Sequence, residues 1–291
     1  VDVLAVAKLL SFAMSGNWDA ELARFRVIIE DGPDALAHID PEYAAWHPVA
    51  VPTGAVAGEQ LDRLSGDLAA LTKALGMSGG SNAWAVAPSK SATGRPILAN
   101  DPHLPPRLPS PWYLARLDSG EWSMTGAAFV GVPIFPFGHN GRVAWGTTLG
   151  MADTADLYVE GPSDGPLDGK GDGTSEEADK VITLREEIRV KGKAPVIEEI
   201  KVTQRGPFLT PLINGGGYSL SIRAVWMQPR PVHGFLRVAR TRTIAEFRGA
   251  FEAWPLMSLN LVFADDSGTI GSQLVGETPV RRTGHGIVPA A

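Results

Sequence analysis

The sequence contains no cysteine, which excludes thiol nucleophiles, zinc–thiolate sites and disulfides and leaves the compartment open. It also lacks any apolar run near the ~20 residues that span a bilayer. The stretch from Val3 to Met14 carries Lys8 and follows Asp2 without a basic flank, so it reads as a helix face rather than a leader. Basic charge is in deficit, with Lys+Arg 26 against Asp+Glu 32 and a net charge of −6. Without a basic stripe, a nucleic-acid surface is excluded. Charged residues reach only 20% while hydrophobic ones make up 44%, enough to bury a sizeable core and too many for a disordered chain. The 291 residues suit one large domain or two small ones. Opening on Val1, with no natural stop signal at either end, the chain is expected to be a piece of something longer.

Periodicity changes near residue 80. Before it, Val3, Val6, Leu9, Leu10 and Phe12 to Met14 form a helical apolar stripe that stops at Gly16. Asp19 to Glu30 repeats the pattern through Leu22, Phe25, Val27 and Ile28, and Leu61 to Leu75 regains it after a connector from Pro41 to Gly58. After Ser81 the pattern becomes short strands: 82–87, 96–100, 112–117, 122–127, 143–148 and 155–159. A Gly/Asp/Glu-rich loop over 161–179 leads into a hairpin-like pair, 180–190 and 195–203. A helix opens at Thr243, with Glu246 three residues on as a capping box, and runs to about Ala253. Strands at 259–264 and 269–275 flank the Asp265–Gly268 turn. No internal repeat is present, and the sum is a helical lead-in joined to a strand-rich body.

Three motifs compete for the chemistry. Gly76-Met77-Ser78-Gly79-Gly80 spells a nucleophile elbow, but that motif needs a strand before the serine and a helix after it, and here the order is reversed. Asp168-Gly169-Lys170-Gly171-Asp172-Gly173 has a lysine where a calcium loop needs an oxygen ligand, so a solvated insertion is expected. In Gly79-Gly80-Ser81-Asn82-Ala83-Trp84, two glycines allow a strained peptide before a serine that opens a strand. The plain alternative for that junction is a flexible turn.

Three further segments follow in order: Asn100-Asp101-Pro102-His103-Leu104, then Gly138-His139-Asn140-Gly141-Arg142-Val143-Ala144-Trp145-Gly146-Thr147-Thr148, then Ser258-Leu259-Asn260-Leu261-Val262-Phe263-Ala264-Asp265. Together with the junction they resemble the penicillin acylase family of N-terminal nucleophile hydrolases, which includes penicillin, cephalosporin and acyl-homoserine-lactone acylases. The resemblance runs from the helical lead-in to Arg281. It implies an α+β fold, part of a four-layer αββα sandwich of antiparallel sheets. Residues 1–80 would be the helical end of an α subunit plus a spacer, and residues 81–291 the first part of a β subunit.

The resemblance also implies roles. The precursor would cut itself between Gly80 and Ser81, freeing the Ser81 α-amine, whose ordinary pKa of about 7.7–8 suits a general base near neutrality. The Leu149 backbone N–H and the Asn260 side chain would hold the oxyanion. His103 would hydrogen-bond near the nucleophile, a structural histidine being the alternative. Arg281 would orient the asparagine region, with Arg282 beside it as the other choice. Leu104, Phe137 and Thr147 would line the acyl pocket, although core packing explains the first two equally well. Asp153 and Asp156, with the Ala155 carbonyl and carboxylates drawn from elsewhere in the family's α subunit, would hold a structural calcium; ordinary surface aspartates are the alternative. The chemistry itself needs no cofactor. Arg205-Gly206-Pro207 departs from the family's His-Gly-Pro turn.

The expected activity is therefore hydrolysis of a linear amide, such as a β-lactam side chain or an N-acyl homoserine lactone, through a Ser81 acyl-enzyme. The expected partners are a small acyl amide and the rest of a heterodimer, without nucleic acid or membrane, and the resemblance places the enzyme in the periplasm. The rival expectations are a noncatalytic, calcium-dependent β-rich binding module and an inactive fragment of the acylase.

Overall fold

A computed structural model of the chain describes residues 2–15, 17–39, 58–75, 80–104, 106, 108–132, 134–161, 181–209, 219–281 and 286–290. The calcium-loop-like segment at 168–173, residues 76–79 of the elbow-like motif and most of the 41–58 connector lie outside these, as does Arg282. Helices α1 (Asp2–Met14), α2 (Trp18–Asp31), α3 (Leu36–Ile39) and α4 (Glu59–Leu75) come first. They are followed by β1 (Ser81–Val86), β2 (Ile97–Pro102), β3 (Trp112–Asp118), β4 (Ser123–Phe129), β5 (Phe137–His139), β6 (Val143–Leu149) and β7 (Ala155–Glu160). Strands β8 (Ile182–Ile188), β9 (Val196–Val202) and β10 (Ser219–Ala224) precede α5 (Ile244–Ala250), and β11 (Leu259–Asp265) and β12 (Ile270–Val275) close the order. Each of these strand pairings is antiparallel. Among the described residues, no helix is long and apolar enough to cross a membrane.

The chain divides into two compact units. The first gathers residues 1–16, 71–154 and 225–278. Its centre is a six-stranded sheet in the order β12-β11-β6-β5-β4-β3, and β1 and β2 form a separate pair. On β6, Trp145 points into an aromatic core with Phe247, Phe251, Phe235 and Trp254. Successive side chains alternate across a strand, so Gly146 faces the other way, where a Cβ would lie 2.8 Å from that of Asn100 on β2. The β1–β2 pair therefore covers the face of β6 opposite the aromatic core. Helix α5 seals that core. Thr243 caps it by accepting the Glu246 N–H at 3.2 Å, and the Glu246 carboxylate accepts the Arg242 N–H at 2.7 Å. The regular helix stops at Ala250, short of the expected Ala253, because Phe251 and Trp254 turn down onto Phe235 at ring separations of 4.9 and 5.5 Å. Along α1, Ala7, Leu10 and Met14 pack against the same core. Lys8 donates to the carbonyls of Trp226 and Gln228, and burial pushes its ammonium pKa down.

The second unit gathers residues 17–70, 155–224 and 279–291. Trp18, Leu22, Phe25 and Ile28 give α2 a buried face at helical spacing. The β7–β10 pair is buried along most of both strands, whereas the β8–β9 hairpin is exposed along nearly its whole length. Strand β10 carries Ser219 and Ser221, both buried. The Ser221 hydroxyl finds its acceptor in the Glu160 carboxylate, which Arg205 also pairs. Truncating the fully buried Phe247 leaves a cavity where three aromatic rings meet it. Phe247→Ala should lower the unfolding free energy of the full-length protein by about 3–5 kcal/mol in equilibrium denaturation.

Candidate active site

The junction singled out in the sequence is a helix-to-strand passage: α4 ends at Leu75 and β1 opens at Ser81. An elbow serine would need the reverse order, and Ser78 itself lies outside the described residues. The Ser81 hydroxyl donates to the Gly80 carbonyl oxygen at 2.7 Å, and the His103 backbone N–H donates to the same oxygen at 2.9 Å. Two donors on one carbonyl polarise it, and the nucleophile candidate lies against the peptide bond that precedes it. Register sets this geometry, since Ser81 pairs with Pro102 in the β1–β2 ladder and His103 follows directly.

The exposed His103 ring places Nε2 2.7 Å from Asp101 Oδ2. If Nε2 carries the proton into that bond, Nδ1 of the neutral ring is left as an acceptor. A Cβ at position 80 would lie 3.7 Å from that Nδ1, so the imidazole stands beside the Gly80–Ser81 bond. Asp101 belonged to the motif read in the sequence, yet nothing in its spelling gave it a role apart from the histidine two positions on.

Leu149 ends β6 opposite Leu259, and Asn260 sits opposite Thr148 on β11. The Asn260 amide donates to the Thr148 hydroxyl at 3.3 Å. The two expected oxyanion donors are thus carried by neighbouring strands, one register position apart. The turn after Leu149 is tight. A Cβ on Gly150 would lie 2.1 Å from Ser258 Oγ, and Met151 adopts a left-handed φ of 56°, an uncommon conformation for a residue with a side chain.

Ser81, Thr147, Thr148 and Leu149 open onto a cavity of about 450 Å³. Leu104 and Phe137, both expected there, line it, and Leu10 and Met14 of α1 form part of its wall. Phe137 packs edge-on against Trp112 at 4.8 Å, and the Thr147 hydroxyl is held by the Pro136 carbonyl. Among the described residues, no Asp, Glu, Lys, Arg or His side chain lines this cavity.

The remaining expected residues lie elsewhere. Asp153 is half-buried, and Ala155 opens β7 in a fully buried position. Asp156 is buried and accepts from Arg281 Nε at 2.8 Å. Arg281 is thus an ion-pair partner of Asp156 in the second unit. Glu21, 0% exposed on α2, accepts the Leu157 N–H at 3.0 Å. Carboxylate oxygens of Glu21 and Asp156 lie within 4.8 Å of each other. Two buried carboxylates this close call for positive charge. Arg281 supplies one, and the all-oxygen donor set fits a hard cation such as calcium. Burial, and then the nearby Asp156 carboxylate, push the Tyr158 phenol pKa upward. A signal for Glu21 was present in the sequence: it occupies the apolar face of α2, where an acid needs a reason to be buried.

Comparison with known proteins places the chain in a family. Over residues 1–291 the chain matches the family model described as penicillin amidase. It is 32% identical over 315 residues to the acyl-homoserine lactone acylase QuiP of Pseudomonas aeruginosa, covering 99% of this chain and 36% of that protein. It is 35% identical over 250 residues to the penicillin acylase 2 proenzyme of Pseudomonas sp. strain SE83, covering 80% and 32%. A thermostable penicillin G acylase from Alcaligenes faecalis shares the fold with a TM-score of 0.57 at 24% identity, over 67% of this chain and 35% of that one. The chain spans about a third of the length of the curated relatives it matches.

The crowded turn after Leu149 gives a direct test. Gly150→Ala forces a Cβ into Ser258, and overpacking of this kind costs about 1–3 kcal/mol. Urea denaturation of the full-length variant should show that loss.

Proposed function

Because the chain belongs to the penicillin amidase family, we propose that it carries the nucleophile-bearing part of an acylase that hydrolyses linear amides. The observation that carries this reading is the Ser81 hydroxyl lying against the doubly hydrogen-bonded Gly80 carbonyl, at the mouth of an apolar cavity. In the precursor, Ser81 Oγ attacks the Gly80 carbonyl carbon, the C–N bond breaks, and the resulting ester is hydrolysed. The freed α-amine of Ser81 then takes the hydroxyl proton, through a water, while Oγ attacks the substrate amide. The Leu149 N–H and Asn260 Nδ2 hold the oxyanion, the leaving amine takes the proton, and water releases the acid from the Ser81 ester. His103, oriented by Asp101, stands beside the bond cut first.

On this reading residues 1–80 are the end of an α subunit plus its spacer, and residues 81–291 begin the β subunit of a heterodimer. The two stacked sheets of the first unit are the inner part of a four-layer sandwich. Glu21, Asp156 and the Ala155 carbonyl, all in the second unit, are proposed to hold a calcium ion that balances buried negative charge. The ion takes no part in the chemistry. The periplasm is the proposed compartment, on family resemblance.

The cavity guides the substrate class. About 450 Å³ lies in the size range of ligand pockets, exceeds what a single phenyl ring fills and leaves room for an extended aliphatic acyl chain. Among the described residues its lining carries no ionisable side chain, which disfavours acyl groups that end in a carboxylate. The proposed substrate is an amide of a medium-chain fatty acid, as in an N-acyl homoserine lactone.

Intact-mass measurement of the full-length protein should give two pieces divided at Gly80/Ser81, and Ser81→Ala should leave one uncut, inactive chain. Asn260→Ala should cut turnover by about 10²–10³-fold. A protein that stays whole yet hydrolyses amides would defeat the mechanism, and one that neither splits nor hydrolyses would return the binding-module reading. Across acyl p-nitroanilides of increasing chain length, kcat/KM should climb about three- to fourfold per methylene, from ~0.8 kcal/mol per buried CH₂, and level off once the chain fills the cavity.

A further inference from the structure

Strand β5 pairs with β6 only through Gly138–Trp145 and His139–Ala144. Past Trp145, the next β6 residue whose backbone N–H and C=O point to that side is Thr147. What meets them is a side chain. Asn100 Oδ1 accepts the Thr147 N–H at 3.0 Å, and Asn100 Nδ2 donates to the Thr147 carbonyl at 3.2 Å. The side-chain amide thus imitates the peptide group of a missing strand. Its other Nδ2 hydrogen goes to the Asn82 carbonyl on β1 at 2.7 Å. Asn100 itself belongs to β2, paired with Ala83. One half-buried side chain therefore ties β2 to β1 and to β6, with both amide hydrogens used. Gly146 makes room for it, since a Cβ there would lie 2.8–3.2 Å from the Asn100 side chain.

The residues it grips are next to the chemistry. Asn82 follows Ser81, and Thr147 precedes Leu149 by two positions. We propose that Asn100 is a positioning residue that sets the spacing between the Ser81 nucleophile and the Leu149 oxyanion donor. This rests on the acylase reading of Ser81 and Leu149. Asn100 does not line the acyl cavity, so it acts on the transition state through β1 and β6 and leaves the binding of the acyl chain alone. Misplacement of reacting groups by about 1 Å costs on the order of 10²-fold in rate.

The test uses the full-length protein and its Asn100→Ala and Gly146→Ala variants, the second moving Asn100 from the opposite side if the first does not fold. On a decanoyl p-nitroanilide, each folded variant should lose about 100-fold in kcat with KM within twofold of wild type. Hydrogen exchange at the Thr147 amide should accelerate about tenfold as its partner is lost. A folded Asn100→Ala protein with kcat within threefold of wild type, or with unchanged Thr147 exchange, overturns the proposal. Equal loss in KM and kcat also overturns it, because a general structural defect would give that pattern. If wild type hydrolyses no amide while Thr147 exchange still accelerates in the variant, the acylase reading falls. The positioning role falls with it, leaving a purely structural joint.

Discussion

Buried backbone groups must find partners, and strand β6 is where that requirement shapes this protein. One edge of β6 pairs with β11 along its whole length, while the other loses β5 after two residue pairs. A side chain from β2 takes over where β5 leaves off. The β1–β2 pair is thereby drawn onto the face of β6 that glycine leaves open. Ser81, Leu149 and Asn260 are carried by β1, β6 and β11, so the hydrogen-bonding needs of one strand bring the candidate chemistry together.

The same strand separates two kinds of surroundings. Toward the helices, Trp145 joins a buried apolar cluster rich in aromatic rings. Toward β1 and β2 lies the polar joint of the Asn100 amide with Asn82 and Thr147. The candidate groups sit where the second environment opens onto a cavity walled by the first. This juxtaposition is what an acyl transfer needs: polar donors at the carbonyl, and apolar room for whatever the carbonyl is attached to.

Much of this was legible in the sequence because the signals were local. The apolar stripe of α1, the capping box at Thr243 and the turn at Asp265–Gly268 each fall within a few residues of their expected places. Strand alternation placed β1, β2 and β6 to within two residues. Short β5 carries too few residues for a periodicity to register. Strand β10 was missed because its serines look solvent-facing, yet they are buried, one of them against Glu160, a partner 61 positions earlier in the chain. Asn100 was read as part of a motif, but its three bonds reach positions 82 and 147, a convergence only folding reveals. Glu21 was the reverse case: its place on the apolar face of α2 was visible, and only its neighbour Asp156 was not.

The inner wall of the cavity consists of Phe235, Trp254, Leu256, Met257 and Leu259, which are also members of the main apolar core. The interior of this unit is therefore left unfinished, and any guest that fills the gap supplies the van der Waals contacts its own chain omits. Occupancy and heat resistance are coupled by that arrangement: an apolar guest bound there behaves, for as long as it stays, as one more residue of the fold.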